Sequence, residues 1–116
     1  MNIPLSEQQC QVCLLSSRPL SSDDIANMLA AIPRWKKVQR EGIDHIQREF
    51  HFRDFRNAFE FAEHIAVLAE QQDHHPSLLI EWGHVTVAWT THKINGLHLN
   101  DFIMAAKTDL LLTSSG

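Results

Sequence analysis

The stretch that most constrains this chain is the one where its hydrophobic period changes. Ile46, Arg48, Phe50 and Phe52 alternate with His45, Gln47, Glu49 and His51. That two-residue repeat is the mark of a half-buried strand, apolar on one face and polar on the other. Asp54 follows as a candidate helix cap. Phe55, Phe59, Ala62, Ile65, Ala66 and Ala69 then recur at helical spacing. They predict a helix from about Phe55 to His74, with these residues on its apolar face. A chain that must bury a strand face and then a helix stripe is committed to layers of both kinds.

The rest of the chain repeats the theme. Ser21 is a candidate N-cap with Asp24 in capping-box position. Ile25, Met28, Leu29 and Ile32 follow at helical spacing until Pro33 ends the helix. Trp35 to Arg40 is the partner strand of the alternating stretch, across a turn at Glu41-Gly42. Leu78 to Trp82 and His84 to Thr91 are two further strands joined at Gly83. Asn95-Gly96 supplies a turn. A last helix runs from about Asn100 to Leu112, and Thr113 to Gly116 should fray.

The order α-β-β-α-β-β-α uses hairpins rather than crossovers. It predicts a single α+β domain, a four-stranded antiparallel sheet with helices packed on one face. Its 116 residues leave room for only one domain. Residues 1–19 are weakly periodic and end in Ser16-Ser17-Arg18-Pro19; they read as an N-terminal arm on a domain spanning 20–116.

A net charge of −4 disfavours a general nucleic-acid-binding surface. The first residues lack the basic start and apolar stretch of a signal peptide. No apolar run approaches the roughly 20 residues of a membrane span, so a cytoplasmic protein is expected. Cys10 and Cys13 form one C-x-x-C. Without a βαβ unit or two more soft ligands, the pair is read as reduced thiols in a peripheral segment rather than as a redox or zinc motif.

Chemistry is concentrated in Glu70-Gln-Gln-Asp73-His74-His75-Pro76 and in Thr90-Thr91-His92. Proline disfavours helical geometry in the residue before it, so the helix stops near His74 and His75 turns into different space. Glu70 and His74, four apart, share a helix face in this reading. At the helix C-terminus the macrodipole and Glu70 both favour imidazolium at His74. His92, at the end of the last strand, closes the group. Imidazole both gives and takes protons near neutrality, so the trio suits a dehydration, in which a leaving hydroxyl is protonated while a neighbouring atom loses a proton.

Two other readings compete with this one. An isolated His-His-Pro is most often a polar helix end. Metal binding is the other, but no H-E-x-x-H or similar pairing fixes a site. Ser77 sits in no G-x-S-x-G setting, which argues against acyl-enzyme chemistry. His45, His51, His64, His84 and His98 are scattered and read as surface residues.

Taken together, Glu70-x-x-x-His74-His75-Pro76, Trp82, His92 and Asp101 resemble the signature of the pterin-4a-carbinolamine dehydratases. The resemblance also takes in Leu20 to Trp35, Phe50-His-Phe52, Ala66 to Glu70, Thr90-Thr91-His92 and Gly96-Leu97. It covers about residues 20 to 112. It implies loss of water from 4a-hydroxytetrahydrobiopterin to give quinonoid dihydropterin, with no metal or organic cofactor. It also implies a functional link to an aromatic amino-acid hydroxylase and assembly as a homodimer or homotetramer.

Carried over by position, the resemblance makes His74, His75 and His92 the acid/base groups. Glu70 would bind the pterin or orient His74. Asp73, Pro76, Thr90, Thr91 and Lys93 would form the substrate pocket. Ser77 and Lys93 stand where acidic residues are usual in the family, His98 where Thr or Ser caps the last helix, and Trp82 where Tyr is common. A non-catalytic dimerisation or transcriptional regulatory protein of the same fold is the alternative function. An enzyme of other pterin metabolism, such as that of molybdopterin, is a third.

Overall fold

The computed structural model describes residues 3–10 and 19–115. Its elements are α1 (Ser22–Ala31), β1 (Lys36–Arg40), β2 (Ile43–His51), α2 (Phe55–Gln72), β3 (Ser77–Glu81), β4 (His84–Trp89) and α3 (Leu99–Ser115). The four strands form one antiparallel sheet in the order β1-β2-β4-β3. The expected α+β order is therefore present, with β1 and β3 as the sheet edges.

Local chemistry accounts for the boundaries. Ser21 caps α1 by accepting the Asp24 N–H at 3.2 Å. Glu41 and Gly42 both adopt positive φ, as the tight β1–β2 hairpin needs, and Gly83 does so between β3 and β4. α3 continues to Ser115, through residues expected to fray.

Strand register sorts the sheet into two faces. Ile46 pairs with Trp89 and Phe50 with Val85, and all four are buried. They meet α2 and α3 through Phe61, Ile65, Phe102 and Ala105. Trp35 Nε1–H and Arg48 both donate to Asp109, at 2.9 and 2.6 Å, which fastens α3 to this face.

Two expectations about burial are corrected. In α2 the buried set is Ala58, Phe61, Ala62, Ile65 and Ala69, while Phe55 and Phe59 are about half exposed and Ala66 is exposed. Phenylalanines at 55, 59 and 61 put apolar surface on more than one side of the helix, so spacing alone does not select the inner one. His45 is 7% exposed rather than a surface residue: its ring is tied to the Ile43 carbonyl, with the His92 ring edge-on to it.

The described part of the arm lies along α3. It makes one 3₁₀ turn, Leu5–Glu7, and Lys107 Nζ donates to the Ser6 carbonyl at 3.0 Å. Cys13, the second cysteine of the pair, lies outside the described residues.

Candidate active site

α2 ends at Gln72 because Asp73 adopts the left-handed conformation (φ 52°, ψ 43°). Asp is one of the few residues that enter that region with little strain. The N–H groups of Asp73 and His74 both return to the Ala69 carbonyl, closing the helix in the manner of a C-cap. His74 and His75 therefore leave the helix on the short connection to β3. They do not sit on its last turn.

That closure changes the pairing expected from helical spacing. Glu70 pairs with His75, its carboxylate accepting from the His75 Nε2–H, and both side chains are largely exposed. His74 turns inward and donates from Nε2 to Asp101 Oδ1 at 2.6 Å. A carboxylate bonded in this way only accepts, so the hydrogen sits on Nε2 and leaves Nδ1 for proton exchange. The ring also stacks on Trp89, with centroids 5.8 Å apart and planes within 12°.

Asp101 is fully buried. Its second oxygen accepts the Thr91 hydroxyl at 2.7 Å and the His98 backbone N–H at 2.9 Å. In return His98 Nδ1 accepts the Asn100 N–H at 3.0 Å. His98 and Asp101 thus form a reciprocal capping box at the start of α3 with imidazole in the usual hydroxyl's place.

His92 opens the turn His92–Ile94 just past β4. The end of β4 is held by Thr90, whose hydroxyl donates to the Asp44 carbonyl at 2.7 Å. A bridge between Thr91 and Gly96 folds the loop back on itself.

These pieces enclose a cleft of about 440 Å³. Of the residues expected at a site, His74, His75, His92, Asp73, Thr90, Thr91 and Lys93 line it. Glu70 and Pro76 do not line it, and Glu70 reaches the site only through His75.

Three lining residues were not expected: Cys10, Gln72 and Asn100. Gln72 joins arm to helix by accepting the Cys10 N–H at 2.9 Å and donating to Gln9 at 2.7 Å. Burial pushes the Cys10 thiol up to about 11; Lys107 opposes that rise and Asp101 adds to it. Asp101 belonged to the recognised signature, but its support of His74 is a tertiary contact that spacing does not reveal. Among the described residues, no three His, Cys, Asp or Glu side chains converge as a metal site, and no helix is long and apolar enough to cross a membrane.

The model of the family "Pterin 4 alpha carbinolamine dehydratase" matches residues 18–111. A relative from Syntrophotalea carbinolica is 45% identical over 93% of this chain and 96% of its own length. One from Saccharophagus degradans is 48% identical over 92% and 95%. Both are provisionally named pterin-4-alpha-carbinolamine dehydratases. A crystal structure from Brucella melitensis, described as a transcriptional coactivator/pterin dehydratase, superposes with TM-score 0.74 at 35% identity, covering 81% of this chain and 98% of that one.

Proposed function

This chain belongs to the pterin 4 alpha carbinolamine dehydratase family, and from that premise we propose that it removes water from 4a-hydroxytetrahydrobiopterin by histidine acid/base catalysis. The observation that carries the reading is the convergence of His74, His75 and His92 on one cleft, with His74 anchored by a buried carboxylate. The cleft lies within the roughly 300–1,000 Å³ of small-molecule sites.

In the proposed reaction one imidazolium protonates the 4a-oxygen. The C4a–O bond breaks and its electron pair leaves with water. A second imidazole takes the N5 proton, and the N–H bonding pair becomes the C4a=N5 bond of quinonoid dihydropterin. No nucleophile, metal or organic cofactor is called for. Asp101 and Glu70 orient His74 and His75 by accepting their Nε2–H groups, leaving each Nδ1 for the exchange. Asp73, Thr90, Thr91 and Lys93 form the walls around the pterin. The product is the dihydropterin that a separate reductase, with its own reductant, converts to the tetrahydropterin an aromatic amino-acid hydroxylase uses, and the setting is cytoplasmic.

The test is the rate of carbinolamine dehydration by the purified protein beside His74→Ala and His92→Ala. Each variant is expected to lose about 10²–10⁴ in rate. A wild-type rate equal to the uncatalysed one, or catalysis that survives His74→Ala, would sink the reading.

Self-association accompanies this function. Phe55, Phe59 and Val67 are each about half exposed on α2, apolar surface that a second copy of the chain can cover. A homodimer or homotetramer covers it, and Phe59→Glu is expected to lower the mass seen by analytical ultracentrifugation. The same exposure suits the regulatory alternative, which a relative described as a transcriptional coactivator keeps in view.

A further inference from the structure

We propose that His45 is a positioning residue for His92, an inference that rests on the dehydratase reading of the cleft. The other two imidazoles each have a carboxylate partner, Asp101 for His74 and Glu70 for His75. Among the described residues, the His92 side chain has no hydrogen bond, and its ring neighbour is His45. The centroids are 6.5 Å apart and the planes cross at 77°. That is the edge-to-face geometry favoured between aromatic rings.

His45 is built to be a fixed wall. It pairs with Val38 on β1 and alternates with Ile46, so it lies on the sheet face opposite the helices. A histidine on such a face is ordinarily solvated, yet this one is 7% exposed. Its Nδ1 lies 2.9 Å from the Ile43 carbonyl. A carbonyl only accepts, so Nδ1 carries the hydrogen, and the ring is held in one tautomer and one orientation. The Thr90 hydroxyl, bonded to the carbonyl of neighbouring Asp44, ties the end of β4 to the same place. The strand end that leads into His92 is stapled to β2, and His45 supplies the surface against which the His92 ring comes to rest.

A ring held this way loses rate when its wall is removed, while substrate affinity depends mainly on the rest of the cleft. The experiment measures kcat and KM for carbinolamine dehydration in His45→Ala and His45→Phe. It also follows the imidazole resonances of His92, identified by their loss in His92→Gln. His45→Ala is expected to lower kcat about 3–10-fold, the rate equivalent of one aromatic pair. KM should stay within about twofold, and the His92 resonances should shift or broaden while those of His74 stay in place. His45→Phe keeps the ring edge and should recover most of both.

Unmoved His92 resonances in His45→Ala would overturn the proposal. So would a His45→Phe variant as slow as His45→Ala with His92 held in place, since a ring nitrogen would then be what matters. An inactive wild type would defeat the dehydratase reading instead, and the resonances would still decide whether His45 holds His92.

Discussion

Helices α2 and α3 each begin with the help of an aspartate, but of these two only the aspartate of α3 is wired to the candidate site. Asp54 sits at the surface before α2 and accepts the Asn57 N–H and side-chain amide, both at 2.8 Å. The backbone bond from Asn57 is the main cause holding its carboxyl below the ordinary 3.8, with Arg53 and Arg56 adding to it. Asp101 does the same backbone work from inside α3, and being fully buried it also binds Thr91 and His74. Water does not compete for its oxygens there, and each bond strengthens accordingly. A routine capping device becomes the anchor of a side chain in the candidate site once burial brings three donors to it.

The largest expected effect follows from removing that anchor. Asp101→Ala leaves the His74 Nε2–H, the Thr91 hydroxyl and the His98 N–H without their acceptor. At about 1–3 kcal/mol for each unsatisfied buried group, partly offset by relaxation, urea unfolding should report a loss of about 3–5 kcal/mol. Dehydration should fall with it. Asp101→Asn retains one acceptor oxygen and should fall between the two. A loss below about 1 kcal/mol would erase the contrast, because α3 would then begin no differently from α2.

The second effect concerns the other half of the box. His98→Ala should cost about 1 kcal/mol, the usual worth of an N-cap, whereas His98→Ser should restore it. If serine fails as badly as alanine, the imidazole of His98 does more than cap.

How far these features were legible in the chain depended on how local their causes are. Ser21 with Asp24, the turn at Glu41-Gly42 and the hinge at Gly83 could be read directly, because each is decided by a few adjacent residues. The inner face of α2 could not, since Phe55, Phe59 and Phe61 compete for it. The His-His-Pro cluster was visible, but its pairing was not. A left-handed Asp73 exchanged Glu70's expected partner His74 for His75. The true partner of His74 lies 27 residues away on another helix. The contact of His45 with His92 is likewise tertiary, made only where the fold brings the two rings together.

A third, smaller effect tests how dry the start of α3 is. The Cys10 Sγ lies 3.9 Å from the Asn100 carbonyl and is positioned to donate to it, and burial raises its pKa from 9.0 to about 11. A folded-state pKa above the unfolded value stabilises below the lower one and loses that contribution as pH rises through the higher. Urea midpoints should therefore decline between pH 9 and 11 in wild type, and decline less in Cys10→Ala. In a Cys13→Ser background the remaining thiol should react with a disulfide reagent at pH 8 more slowly than in the urea-unfolded chain. Equal rates would mean that the arm leaves this corner open to water.

The smallest effect belongs to Asp54, and it separates structural capping from site chemistry. Asparagine caps a helix about as well as aspartate, so Asp54→Asn should leave the dehydration rate unchanged and barely move the urea midpoint at pH 7. The difference should appear in acid. A carboxyl whose folded pKa is depressed contributes stability above its unfolded value and loses it as pH falls through the folded one. Below about 3.8 wild type should therefore lose ground to the asparagine variant, which has no proton to take up. Parallel midpoints down to pH 3 would mean that the Asn57 bond does not distinguish the charged carboxyl. A fall in dehydration rate on Asp54→Asn would mean that the start of α2 is coupled to the cleft after all, and that burial is not what sets the two helix starts apart.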